Sequence, residues 1–422
     1  MSRASGTRKL AVSALVVVLA LVAAACGSSS KSGDAAGTTG TTATPATGTP
    51  LKIGWIGTIT SASGVNTQGG KDTLDSWVKT TNAAGGISGH PVTAVYADDK
   101  GDPAVGLAAV KDLVENQHVI AIVGSYAGST DQTWAPYVLS KQIPVVNGYA
   151  GDALGFTNPM FYIVAGSVIA NTWGQMKSAA VAGAKKVSVV LCTEVAACAQ
   201  AQPLFTKNAQ SVGLDMVSNV LASSTQASYT AECLQAKNAG ADAVAAFINL
   251  TVFARDCARQ GFKPIYINAD LLPSLATLKA TPELTSIVGS SEGWPCFDQS
   301  VPGSSDMYAA LKAYHPTWTK GGKDYALSTA DICTAWAGGL AFKKAIENVA
   351  PAATATVTNA DVIKGLSMFK NEMLGGVAPD VTFMDGTKPN AANPCIFLYQ
   401  WNNQVFKATP GTDHLYTCQP AG

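Results

Sequence analysis

From Leu51 to about Asp270, short apolar runs alternate with longer stretches whose apolar residues return every three or four positions. These are the periods of buried strands and amphipathic helices. Leu51–Gly57 (LKIGWIG) reads as a first strand and Thr58–Gln68 as a polar loop. Leu74, Trp77, Val78 and Thr81 share one face of a helix that Ala84-Gly85-Gly86 ends. Pro91–Ala97 is the second strand, Asp98–Pro103 a turn, and Ala104–Asn116 a helix with Val105, Ala108, Ala109 and Leu113 on its apolar face. Ile120–Val123 has the composition of a strand buried on both faces, and Gly124 ends it. Ser125–Gly128 is then a small-residue loop, and Ser129-Thr-Asp-Gln132 matches the S-x-x-Q capping box, predicting a helix from about Thr130. A strand at Ile143–Val146 and the loop Asn147–Asp152 complete this set.

A second set follows: helix 170–182, strand Lys186–Leu191, helix 199–212, strand Asp215–Val220, helix 229–238, strand Ala243–Ile248, helix 252–260 and strand Pro264–Ile267. Strands alternating with helices of this length predict βαβ units on parallel sheets. Two sets, one before about residue 166 and one after, predict two such domains. Ligands of open parallel sheets sit beyond the carboxyl ends of the strands, so facing domains would enclose a cleft there. IFLYQW and QVFKA, flanking Asn402-Asn403, read as a terminal hairpin.

The chain is 422 residues long and only 13% charged, enough for two domains of common size. Arg3, Arg8 and Lys9 precede a nearly continuous apolar run, Leu10–Ala25, the pattern of an export signal at residues 1–25. The run is short for a bilayer-spanning helix. Without that segment 25 basic residues face 28 acidic ones, a net of −3, and no basic stripe recommends a nucleic-acid partner. Leu21-Val-Ala-Ala-Ala-Cys26 resembles the lipobox of bacterial lipoproteins, with Ala23 where leucine is usual. That resemblance implies cleavage before Cys26 and lipid attachment to it. Residues 26–50, rich in Ser, Thr, Gly and Ala, read as a flexible tether.

Setting Cys26 aside leaves eight cysteines, an even number in an exported chain. Order alone suggests Cys192–Cys198, Cys233–Cys257, Cys296–Cys333 and Cys395–Cys418, among many possible pairings. There is no C-x-x-C and the four histidines are scattered, so no metal or cofactor is expected. Gly289-Ser-Ser-Glu-Gly293 matches a hydrolase nucleophile elbow, but Trp294-Pro295 follows where a helix is required, which argues against a catalytic Ser291. Gly64–Asp72 misses the P-loop by one residue of spacing, and Asp72 stands where Ser or Thr must hold magnesium. The expectation is a non-enzyme.

Leu51-Lys-Ile-Gly…Gly57, Asn82-Ala-Ala-Gly-Gly-Ile-Ser-Gly89-His-Pro-Val and Asp98-Asp99…Asp102-Pro103, in this order, resemble the opening of type I periplasmic binding proteins of the leucine/isoleucine/valine-binding group. Ile122–Thr130 is similar to that family's ligand loop and Gln142–Val146 to its next strand. Ala239–Val244 and Ala258-Arg-Gln-Gly261 fit its second domain. The resemblance implies α/β architecture: two doubly wound parallel-sheet lobes joined by three crossover segments, with the ligand cleft between them. The crossings are expected near Gly166, near Cys296 and around Lys370–Asp380, giving a first lobe of 51–166 plus 298–370 and a second of 167–297 plus 371–422.

It further implies an extracytoplasmic receptor of an ABC importer, closing on one small ligand, an amino acid, amide or small organic acid, and meeting a membrane permease as a monomer held by lipidated Cys26. A ligand sensor without transport uses the same fold and remains the alternative. By the same resemblance, Ser125, Tyr126, Ala127, Gly128 and Ser129 hold a ligand's carboxylate and ammonium, and Tyr149, Ala150 and Gly151 add main-chain contacts. Glu194, Asn249 and Asp270 contribute from the second lobe, Asp270 against the ammonium. Trp294 could wall the cleft or simply pack in the core.

Overall fold

The structure, a computed structural model, describes residues 45–61, 66–193, 201–268, 278, 280–297, 301–318, 329–402, 405–409 and 416–421. The expected signal segment, Cys26 and most of the tether lie outside the described residues, as do Glu194, Cys198 and Asp270. Among the described residues no helix is long and apolar enough to cross a membrane.

The first sheet holds β1 (Leu51–Gly57), β2 (Val92–Asp98), β3 (Ala121–Val123), β4 (Val145–Val146) and β5 (Phe161–Tyr162), all parallel, in the order β2-β1-β3-β4-β5. Side-chain alternation sends Leu51, Ile53, Trp55, Ala121, Val123 and Val146 into one core, and Ile56, Ile122 and Val145 into another. Between the strands run α1 (Gln68–Ala83), α2 (Pro103–Glu115), α3 (Asp131–Lys141) and the short α4 (Leu154–Thr157). Leu74 and Trp77 of α1 cover the first face, and Val110 of α2 with Trp134 and Val138 of α3 cover the second.

The second sheet is fed by α5 (Val168–Val181), α6 (Gln202–Ser211), α7 (Thr230–Asn238) and α8 (Leu250–Arg259). Its parallel part comprises β6 (Lys186–Cys192), β7 (Asp215–Ala222), β8 (Ala243–Ala246), β9 (Ile265–Asn268) and β10 (Ser286–Ser291). The same alternation puts Val187, Val189, Ala243, Ala245, Ile267 and Val288 against α5 and α6, while Val190, Val244, Tyr266 and Ile287 face α7 and α8. Both sheets are thus covered on two faces, which is why their strands read as continuous apolar runs. Cys233 and Cys257 join α7 to α8.

Three further helices, α9 (Pro302–Tyr314), α10 (Ala330–Val349) and α11 (Asn359–Ser367), return to the first lobe: α9 and α10 pack on α1, and α10 also meets β3, β4 and α11. The chain ends with β11 (Cys395–Asn402), antiparallel to β10, and its partners β12 (Val405–Thr409) and β13 (Tyr416–Cys418). Cys395 and Cys418 are disulfide-bonded, as are Cys296 and Cys333.

The passages between lobes lie side by side. The Gly166 amide donates to Glu292 carbonyl at 2.8 Å and the Ser167 amide to Asn393 carbonyl at 2.9 Å. A Cβ on residue 166 would stand 2.1 Å from the Cys395 carbonyl, so only glycine permits this approach. Residues 371–390 do not leave the first lobe at Lys370–Asp380: Phe383 packs edge-on against Tyr162, and Asn390 Nδ2 donates to the Phe161 carbonyl at 3.0 Å. Residues 371–394 carry almost no regular structure.

Candidate functional site

The carboxyl ends of β1, β3 and β4 converge on one set of loops, which Asp99 ties together. This residue, fully buried, accepts from Thr58 Oγ1 and Thr130 Oγ1, each at 2.7 Å, and from the Gly101 amide at 2.8 Å. One carboxylate therefore fixes the loops after β1, β2 and β3. The same bond corrects the capping-box expectation. Helix α3 starts at Asp131 with Thr130 as N-cap, and no side chain caps it, because the Thr130 hydroxyl is turned to Asp99. Ser129 is exposed and one residue too early.

Within these loops Tyr126 and Tyr149 meet edge to face, ring centroids 5.3 Å apart. Gly128 and Gly151 lie against the Tyr149 ring: a Cβ on Gly128 would stand 2.5 Å from Cδ1, and one on Gly151 2.3 Å from the hydroxyl oxygen. The pair forms a wall common to two chambers. The outer one, about 620 Å³ and open to solvent, is lined by Thr58, Ser61, Thr67, Lys100, Gly101, Asp102, Gly128 and Ser129. The inner one, about 60 Å³, lies at the passages between lobes, where Asn147, Ala150 and Gly151 of the first lobe face Ser291–Phe297 and Tyr399 at the second sheet. Disulfide-bonded Cys296 and Cys333 also border it.

Charge is unevenly placed. Exposed Lys100 and Asp102 both line the outer chamber, and Lys100 is the cation among its described lining residues. In the inner chamber Glu292, only 5% exposed, accepts from Asn171 Nδ2 at 2.9 Å; Asn171 in turn accepts from Ser290 Oγ. Asp131 and Asp152 approach each other, and Gln132 Nε2 donates to Asp152 at 3.0 Å. Burial, with the charge of Asp152 next, pushes the Asp131 carboxyl up to about 8, and burial raises Asp152 as well. Among the described residues no cluster of His, Cys, Asp or Glu could hold a metal ion.

Of the residues singled out from sequence, Tyr126, Gly128, Ser129, Tyr149, Ala150 and Gly151 line one or both chambers. Ser125 and Ala127 are buried beneath the loop and line neither chamber; an added Cβ on Gly148 would stand 3.1 Å from Ser125 Oγ. Asn249 is exposed and caps α8, its side chain accepting from the Val252 amide at 3.3 Å. Glu194 and Asp270 lie outside the described residues. Lys100, Asn147, Glu292 and Tyr399 were not singled out as site residues, although the D-D-K-G-D-P turn holds Lys100 and the Asn147–Asp152 loop begins with Asn147. Ser291 ends β10 and no helix follows it through Phe297, so the nucleophile-elbow geometry is absent there.

The chain is similar in fold to a branched-chain amino acid ABC transporter protein from Thermus thermophilus with bound valine, at 15% identity and TM-score 0.68, covering 88% of this chain and 97% of that one. A solute-binding protein from R. palustris in complex with 4-hydroxybenzoate gives 19% identity, TM-score 0.63 and coverage of 88% and 98%. A leucine-binding protein from Thermotoga maritima gives 14%, 0.63, and coverage of 85% and 97%. No curated protein matches the chain. The sequence pattern of the periplasmic binding protein family matches residues 50–407, the span that builds the first sheet and the second as far as β12, and the chain belongs to that family.

Proposed function

We propose that this protein is the extracytoplasmic receptor of an ABC importer, anchored through lipidated Cys26, and that it closes its two lobes on one small ligand and presents the closed form to a permease as a monomer. Members of its family are ligand-binding receptors rather than enzymes. The observation that carries the reading is the inner chamber, lined by loops of both lobes at the passages a hinge would use. Lys100 and the Ser and Thr side chains of the outer chamber support capture of a ligand carboxylate, and the paired tyrosines offer flat apolar surface. Valine and 4-hydroxybenzoate, bound by two structural relatives, bracket the ligands this pairing favours: a carboxylate with an apolar body.

Calorimetric titration of the purified protein with aliphatic amino acids, their amides and aromatic acids tests this. One-to-one binding by a carboxylate with an apolar body supports the receptor reading. Silence across all three classes contradicts it. Importer and sensor separate by reconstitution with the permease encoded nearest to its gene: ligand-stimulated ATP hydrolysis supports transport, and binding without it supports a sensor.

A further inference from the structure

Four tryptophans illustrate how this fold treats a buried indole. Trp55 Nε1 donates to the Gly124 carbonyl at 2.9 Å, Trp336 Nε1 to the Gly303 carbonyl at 2.8 Å, and Trp134 Nε1 to Thr130 Oγ1 at 3.3 Å. Trp294, 2% exposed and bordering the inner chamber, has no acceptor for its Nε1–H among the described residues. Leaving such a donor buried and unpaired costs about 1–3 kcal/mol, and a position that keeps it calls for an explanation.

We infer that Trp294 Nε1 is the ligand's hydrogen-bond donor at the deep end of the site, and that it selects ligands bearing an uncharged oxygen, a hydroxyl or carbonyl, at the end remote from their carboxylate. The inference rests on the cleft being the ligand site and adds the substrate class. Size, charge and shape each bear on it. About 60 Å³ admits only one end of a ligand, and a ligand that also reaches the larger outer chamber must pass between Tyr126 and Tyr149. Glu292 borders the same enclosed space and disfavours a second carboxylate there through like-charge repulsion, so the ligand's charge stays on the Lys100 side. Tyr126 and Tyr149, common to both chambers, flank the body that joins the two ends. A hydroxyl suits the position best, because it accepts from the indole while its own proton can be given to the Glu292 side.

The test uses probe pairs that differ by one distal oxygen: 4-hydroxybenzoate against benzoate, and tyrosine against phenylalanine. The protein should bind the oxygen-bearing member at least about tenfold more tightly. Trp294→Phe, which keeps an aromatic side chain but removes the donor, should bring the two members of each pair to equal affinity, whatever it does to the affinity of both. In the ¹⁵N-labelled protein, the indole resonance missing from Trp294→Phe should move downfield with the oxygen-bearing probe only; this readout does not require the variant to bind normally. Equal affinity within each pair, or a preference that survives Trp294→Phe, overturns the inference and leaves the receptor reading standing. If neither pair binds but valine or leucine does, the selected class is wrong. Binding by none of these overturns both.

Discussion

Replacing Gly128 by alanine tests whether the tyrosine wall shapes the site. The added Cβ would lie 2.5 Å from Tyr149 Cδ1 and 2.7 Å from Cε1. Carbon contacts settle near 3.5–4.0 Å, so the ring must retreat by about 1 Å. On the other side the ring already uses the space that Gly151 leaves by lacking a Cβ, since one there would stand 2.3 Å from the Tyr149 hydroxyl. Overpacking of this kind costs roughly 1–3 kcal/mol. Tyr149 is half-buried in a loop bordering solvent-filled space, so most of that cost should fall on ligand affinity, as a loss of about 5- to 150-fold. Titration calorimetry reads the affinity and urea unfolding the stability. Tyr149→Ala in the Gly128→Ala background should remove the added penalty, giving a coupling of about 1 kcal/mol or more. Gly128→Ala with unchanged affinity, or losses from the two changes that simply add, would refute the argument.

Asp131→Asn should flatten the pH dependence of stability. The folded carboxyl binds its proton up to about pH 8 against an ordinary value of 3.8, so the native protein loses stability as pH rises between those values. The variant should therefore be relatively more stable at pH 8 than at pH 5, and parallel melting curves against pH would contradict this. Removing the Cys296–Cys333 bond with alanine at both positions releases a 37-residue separation and should cost roughly 4 kcal/mol in urea unfolding; a loss below about 1 kcal/mol would show the passage to be held without it. Asn249→Ala should cost about 1 kcal/mol of stability by uncapping α8 and leave ligand affinity unchanged; a tenfold affinity loss would return Asn249 to the site. Asp270→Ala should weaken an amino-acid ligand by roughly 2–5 kcal/mol if Asp270 pairs with its ammonium, and a change under about 0.5 kcal/mol would remove it.

The legible part of the fold was the part with a clean period. Strands β1, β3 and β6 are apolar on both faces, and helices α1 and α2 carry one apolar stripe, so each was visible in the sequence to within a few residues. Helix α10 was not anticipated: it is packed on several sides, against α1, α11, β3 and β4, and its Ala, Gly, Ile, Phe and Trp residues form no single stripe. Strand β5 has two residues, too few to show any period. At the site, glycine-bracketed loops after β3 and β4 were readable as a ligand platform, whereas the tyrosine ring held between Gly128 and Gly151 depends on a contact between Gly128 and Tyr149 on different loops. Asp99 was seen only as a turn residue, because its bonds to Thr58 and Thr130 join positions 41 and 31 residues away. Glu292 and Tyr399 converge on the inner chamber only when β10 and β11 pair.

The central claim is that two lobes close on one small ligand. X-ray scattering in solution, without ligand and at saturation with whichever acid binds in calorimetry, tests it most directly. The account predicts a smaller radius of gyration in the bound protein, with the midpoint of compaction at the calorimetric dissociation constant. Saturated binding with an unchanged radius would contradict closure.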